Sequence, residues 1–227
     1  MRAALAWALV VAAAAVAAGG AGGAVGKECN GIPTCIDVPG PWVSVPATGE
    51  ATFLLDCPFR RGVVAGVDAR ADSRDVHVTF DALLGSPVAP GRSTTAYAFF
   101  RAVSGHHRAG LFQPLIGCVP SSTSGAQTTA YVITPAGPSL DLAATMMLLA
   151  PGRVEHATLG CPNKESLAYS WDATAFGTTN PPPAALAAAV HVRRVQRSGI
   201  VTVTVQTSEA LPSGAKAAVQ VGVACAT

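Results

Sequence analysis

Four histidines are the residues of this chain whose type and placement could support chemistry. His77 and His191 are each flanked by two valines, and His106 is followed directly by His107. Imidazole is a common metal ligand and can act as a general base near neutral pH. No nucleophile motif or metal-ligand spacing accompanies these residues. The sequence therefore predicts no catalytic, cofactor-binding or metal-binding residues, and the four histidines are candidates for surface contacts only.

Six cysteines are the second group whose chemistry matters, and they are Cys29, Cys35, Cys57, Cys118, Cys161 and Cys225. No C-x-x-C pair occurs among them, and their spacings match no zinc site. An even number of cysteines in an exported chain instead predicts disulfides, and six cysteines permit 15 pairings. The internal repeat described below selects Cys57–Cys118 and Cys161–Cys225. The bond Cys29–Cys35 then remains, and it closes a short N-terminal loop.

The N-terminal segment has the features of an export signal. Met1-Arg2 is a short positive start, residues 3–18 are apolar throughout, and residues 19–26 are mostly small. This pattern predicts a signal peptide in residues 1–26, cleaved somewhere in residues 18–26; an uncleaved membrane anchor is the alternative. No later apolar stretch is long enough to span a bilayer, so we expect a released, secreted or cell-surface-associated protein. The abundance of Ala, and of Arg over Lys, indicates a GC-rich bacterial genome.

The region after the signal contains two similar halves. Cys57-Pro58 recurs 104 residues later as Cys161-Pro162, and nine residues after each pair comes Asp-Ala, at Asp68 and at Asp172. The valine-flanked histidines follow in the same order, and a single cysteine closes each half. This order predicts the duplication of one unit. The expected boundaries are unit 1 in residues 27–119, a linker in residues 120–126 and unit 2 in residues 127–227.

Alternation of apolar and polar residues predicts strands throughout both halves. Val201, Val203 and Val205 alternate with polar residues, which is the period of a half-buried strand. Clusters of Pro and Gly separate such segments at intervals typical of a β-sandwich. We therefore predict an all-β protein made of two tandem β-sandwich domains of immunoglobulin-like or fibronectin-like size, each held by its own disulfide.

Several large apolar residues are expected at the contact between the two units. In Phe99-Phe100 both faces of one strand carry a ring. The alternation predicts Phe99 inward and Phe100 outward, over this contact or, as the alternative, over a binding surface. The run that contains Met146 and Leu148 is apolar on both faces, so burial between the units is expected.

Composition and motifs narrow the function. Only 12% of residues are charged, the net charge is +2, and no basic run occurs, so no nucleic-acid partner is expected. We predict an exported, non-catalytic binding, adhesion or envelope-structural protein without cofactors, whose partner is a protein or glycan of the cell envelope. One alternative is a carbohydrate-binding module, which needs an exposed aromatic platform from Trp42 or Trp171, although partial burial is expected for both. Another is an extracellular hydrolase with His77 or the His106–His107 pair as its base.

Overall fold

The strands of this protein are short, numerous and antiparallel. The computed structural model describes residues 29, 35–58, 62–80, 87–89, 92–93, 97–120, 140–162 and 165–226. The predicted signal peptide and residues 121–126 of the predicted linker lie outside the described residues. The strands are β1 (Ile36–Pro39), β2 (Trp42–Val45), β3 (Glu50–Asp56), β4 (Gly62–Ala71), β5 (Val76–Phe80), β6 (Pro87–Ala89), β7 (Arg92–Ser93), β8 (Tyr97–Ser104), β9 (Gly110–Pro120), β10 (Leu140–Leu148), β11 (Val154–Gly160), β12 (Ser166–Phe176), β13 (Val190–Arg197), β14 (Ile200–Thr207) and β15 (Ala217–Ala226). A short helix of about one and a half turns, α1 (Ala184–Ala188), follows three prolines.

The predicted all-β class is confirmed, and the strands of the described residues form four sheets. The large sheet has the order β1-β9-β2-β12-β15-β10. Strands β1 and β2 pair with consecutive parts of one edge of β9, and β4 pairs with its other edge. Two three-stranded sheets have the orders β3-β8-β5 and β11-β14-β13, and β6 pairs with β7. Strand β2 joins the two halves of the large sheet, because Trp42 pairs with Phe176 and Val43 pairs with Ala175 of β12. Within the part of the chain that the structure describes, no helix is long and apolar enough to cross a bilayer.

Each three-stranded sheet packs across a hydrophobic core from its half of the large sheet. The alternating residues Val201, Val203 and Val205 of β14 are fully buried, as their spacing predicts, because they face β15. In the first half, Phe53 and Phe100 of the small sheet meet Phe112 of β9 in the same way. The face of each small sheet that points away from its core is called the outer face below.

Three disulfides hold the described fold together, and each of the two long ones joins a small sheet to the large sheet. Cys57, at the end of β3, is bonded to Cys118 of β9, and Cys161, at the end of β11, is bonded to Cys225 of β15. The third bond joins Cys29 to Cys35. These are the same cysteine pairs that the repeat selects, and they are consistent with an extracellular protein.

The predicted orientation of the two adjacent rings in β8 is wrong. Phe100 is fully buried inside the core of the first half, and Phe99 lies on the outer face, where it packs against Trp171 of β12 with ring centroids 4.8 Å apart. The outer face of the first small sheet is therefore covered by the second half of the chain. Alternation along β8 could not show this, because both rings are buried, each against a different partner.

The predicted burial of the methionine run between the units is also wrong. Met146 is 45% exposed and Leu148 is 73% exposed. Both lie on β10, the last strand of the large sheet. Among the described residues of β10, Leu142 packs against the contact with the first half, and the other contact residues of the second half come from β12 and β15. The position of β10 in the sheet, which the sequence does not reveal, leaves these side chains uncovered.

Candidate functional site

The four histidines predicted as surface contacts are all exposed. His77 lies beside the turn that carries His106 and His107, whereas His191 lies in the second half. His77 is on β5 in the first half, and His191 is on β13 in the second. His106 and His107 form the turn between β8 and β9, with φ of 58° and 53°. No three His, Cys, Asp or Glu side chains of the described residues lie close enough to hold a metal ion. Their role in surface contacts stays a prediction.

A cavity of about 240 Å³ lies between the first half and helix α1. Its polar residues are Ser44 and Asp72, most of its other lining residues are Ala, and its lining contains no histidine. The carboxylate of Asp72 accepts a hydrogen bond from the backbone N–H of Leu111 (3.0 Å), which ties the end of β4 to β9. This cavity therefore does not bring a histidine to a serine or a carboxylate, the arrangement that the hydrolase alternative requires.

The two aspartates of the repeat have different surroundings. Asp68 accepts a hydrogen bond from the backbone N–H of the next residue (2.8 Å), whereas the carboxylate of Asp172 lies 3.1 Å from Arg194 of β13. Burial raises the pKa of Asp172, and the nearby Arg194 guanidinium opposes this shift. Asp68 pairs with Leu115, three residues before Cys118. Asp172 pairs with Val221, four residues before Cys225. Because one separation is odd and the other is even, the two carboxylates lie on opposite faces of their sheets relative to the disulfide. The Asp-Ala match between the two halves of the sequence is therefore shifted by one residue from the match between the strands.

Both tryptophans considered as a sugar platform are buried. Trp42 is 5% exposed and its indole N–H donates to the carbonyl of Thr179 (3.4 Å). Trp171 is 3% exposed and its indole N–H donates to Oε1 of Gln220 (3.1 Å). Neither ring offers a free face on which a sugar could stack.

Gln220 connects the two halves, although it belongs to no motif of the sequence. Its Oε1 accepts the backbone N–H of Leu54 (2.7 Å), and its Nε2 donates to the carbonyl of Leu54 (2.8 Å). The side chain thus makes the pair of bonds that a neighbouring strand would make at this edge of β3. The available signal was a lone polar side chain within the otherwise apolar β15.

Trp171 also requires a glycine beneath it. A methyl group at Gly222 would overlap the six-membered ring of Trp171. We expect Gly222→Ala to lower the free energy of unfolding by about 1–3 kcal/mol, because the buried ring must move. Chemical denaturation measures this, with Gly160→Ala as the control, since a methyl group there meets only ordinary contacts. Equal stability of the two variants would contradict the packing described.

The outer face of the sheet β11-β14-β13 is mostly polar and carries basic side chains, and the exposed apolar residues Val154, Val195 and Ile200 also lie on it. Val190 and Val192 face the core. Alternation therefore places His191, Arg193 and Arg197 of the same strand on the outer face. The basic face is defined here by His156, Thr158, His191, Arg193, Arg197, Thr202, Thr204 and Gln206. Cross-strand contacts order it, for example between Nδ1 of His156 and Oγ1 of Thr204 (3.0 Å).

The described residues place no carboxylate on the basic face. Glu155 is paired with Val205, so it points to the other side of the sheet. Glu209 lies beside Gly152, in the turns at one end of the sheet. Of the predicted contact residues, only His191 belongs to this face. The missed residues had a visible signal, because every second residue from 191 to 197 is His, Arg or Val.

The two small sheets carry different residues at one corresponding cross-strand pair on their outer faces. In the first half it is occupied by Leu54 and Phe99, which are buried against the second half. In the second half it is occupied by Thr158 and Thr202. Two threonines lack the apolar surface that would favour a similar closure, so this outer face stays open to solvent.

Comparisons with protein-family models, with curated proteins and with solved structures find no match for this chain.

Proposed function

We propose that this chain is an exported, non-catalytic binding protein of the cell envelope that uses its basic face to bind an acidic glycan. The observation that carries the proposal is the contrast between the two outer faces. The outer face of the first half is closed, because its Leu54 and Phe99 pack against the second half. The outer face of the second half is an open sheet surface with basic side chains and hydroxyl groups. An open sheet surface suits an extended polymer better than a small substrate, which is usually held in a concave pocket.

The basic residues are spaced for contact along a polymer. Arg193 and Arg197 lie four residues apart on β13 and project to the same side, which separates their Cα atoms by about 13 Å. An Arg guanidinium binds a carboxylate through two parallel hydrogen bonds. The hydroxyl groups of Thr202 and Thr204, in the neighbouring strand, can donate to and accept from sugar hydroxyls. Together these groups match a chain of sugars with repeated acidic substituents.

The disulfides support export. Such bonds persist in oxidising compartments and are rare in the cytosol. Both long disulfides join the two sheets of a half, so they are structural. The proposal therefore places the protein outside the cytoplasm, secreted or at the cell surface, which agrees with the signal predicted in residues 1–26.

We also propose that the two halves are β-sandwich units that arose by duplication. Each half has the same pairing, with β3-β8-β5 matching β11-β14-β13. Each half has a bulge directly after the residue paired with its cysteine, Val64 opposite Cys118 and Leu167 opposite Cys225. After such a duplication, the outer face of β3-β8-β5 became the contact between the units. The corresponding outer face of β11-β14-β13 became the basic face.

The test is binding of the oxidised chain to beads bearing an acidic polysaccharide, with a neutral polysaccharide as reference. We expect retention on the acidic beads at low salt and its loss at high salt. Changing Arg193 and Arg197 together to Gln should weaken binding at least about tenfold, because charge-assisted hydrogen bonds contribute about 1.5–3 kcal/mol each.

The matched control removes two exposed arginines elsewhere. Arg70→Gln with Arg74→Gln makes the same change in net charge on the first half. We expect this control to bind like the unmodified chain. Equal weakening of both double variants would indicate only a general charge effect and would refute the basic face as the binding surface.

A further inference from the structure

Strand β10 forms one end of the large sheet. All nine of its residues pair with β15, without a register shift. Its other edge has no paired strand among the described residues. Such an edge presents backbone N–H and C=O groups that can pair with another chain.

The other free edges of the described sheets carry features that hinder such pairing. These features are the bulge, Asp68 and Arg70 of β4; Asp37 and Pro39 of β1; Arg193, Arg194 and Arg197 of β13; Glu155 and His156 of β11; and the short length of β5. The edge of β3 is already bonded by the side chain of Gln220. Charges, proline, bulges and short strands are the usual means by which proteins prevent contact between sheet edges.

Most of strand β10 lacks these protective features, because its one charged residue, Asp141, stands next to its first residue. Residues 142–148 include no charge, no proline and no glycine. Met146 and Leu148, which share one face of the strand, are 45% and 73% exposed. An exposed, regular and apolar edge of this length fits the addition of another strand.

The first half shows how the corresponding edge is used. Strand β2 pairs with β9 as β10 pairs with β15, and the other edge of β2 is covered by β12 through the pair Val43–Ala175. The matching edge in the second half is therefore the one that the fold leaves open. The chain itself already uses this type of edge to extend the large sheet.

Strand β10 is also complementary to itself. Two copies that run antiparallel about a two-fold axis at Thr145 place Met146 opposite Ala144 and Leu148 opposite Leu142. No like charges meet in this register, and apolar pairs across strands are stabilising. A two-fold axis gives a closed dimer rather than an open fibre.

We propose that two copies of this chain form a symmetric dimer by antiparallel pairing of their β10 edges, which joins the two large sheets into one. This inference does not depend on the glycan proposal, because β10 is not part of the basic face. The dimer would carry two basic faces, so a polymer bound by both would be held more tightly than by one.

Sedimentation equilibrium of the oxidised chain tests the dimer. We expect a concentration-dependent mass that reaches twice that of the chain. Changing Met146 and Leu148 together to Lys should raise the dimer dissociation constant at least about a hundredfold, because the apolar pairs with Ala144 and Leu142 are lost and four positive charges gather at the joined edge. The matched control, Val154→Lys with Ile200→Lys, changes two apolar residues of similar exposure away from β10 and should dimerise normally.

Hydrogen exchange of residues 142–148 provides a second measurement. Exchange there should slow as protein concentration rises, and circular dichroism should show that both double variants keep the native fold. A monomer at millimolar concentration, a dimer unaffected by the two β10 substitutions, or protection of β10 that is independent of concentration would each overturn the proposal. The last result would mean that another segment of the same chain covers the edge.

Discussion

Replacing Cys161 and Cys225 together by alanine is expected to lower the free energy of unfolding by about 4 kcal/mol. The bond joins residues 64 apart in sequence, and the chain-entropy model assigns a loop of that length a loss of this size. This is a large part of the roughly 5–15 kcal/mol that stabilises a typical protein. Urea denaturation followed by circular dichroism measures it.

The short disulfide provides the control. Cys29 and Cys35 are only six residues apart, so their joint replacement by alanine should cost about 2 kcal/mol in the same model. A loss at Cys161–Cys225 that does not exceed the loss at Cys29–Cys35 would show that the long bond does not constrain the unfolded chain as described.

Changing Gln220 to Leu should cost about 3 kcal/mol or more. The substitution keeps roughly the same volume, but it leaves three buried groups without their partner, namely the N–H and C=O of Leu54 and the indole N–H of Trp171. Each buried polar group that loses its partner costs about 1–3 kcal/mol. Denaturation should therefore occur at clearly lower urea, and the emission of Trp171 should shift as the contact between the halves loosens.

Gln113 is the matched control, because it stands five residues before Cys118 as Gln220 stands before Cys225. It is also buried, but its side chain donates one hydrogen bond, to the carbonyl of Gly40 (2.9 Å). Gln113→Leu should therefore cost about 1–2 kcal/mol. If Gln220→Leu proved no more damaging than Gln113→Leu, the bonds to Leu54 would not hold the two halves together.

The strands could be predicted because their signal is local. Side chains of a strand alternate between two faces, so one buried face is visible within a few residues, as for Val201, Val203 and Val205. Alternation is uninformative where both faces of a strand are buried. In β8 it assigned Phe100 to the outside, because alternation cannot distinguish the core of a half from the contact between halves.

The candidate site was predicted only in part for the same reason. His191 was identified as exposed, but its neighbours Arg193, Thr204 and His156 come from three strands, and only the pairing of those strands makes them one surface. Their relation depends on strand register, which individual segments do not reveal.

The amino-acid sequence by itself determined the all-β class, because alternation is local. The similarity predicted between its two halves also selected the cysteine pairs that the structure contains. Only the tertiary structure decided which outer face is closed and which stays open. That outcome follows from contacts such as Val43–Ala175 and Leu54–Gln220, between residues far apart in sequence. Such contacts depend on the geometry of both halves at once, so no local pattern specifies them.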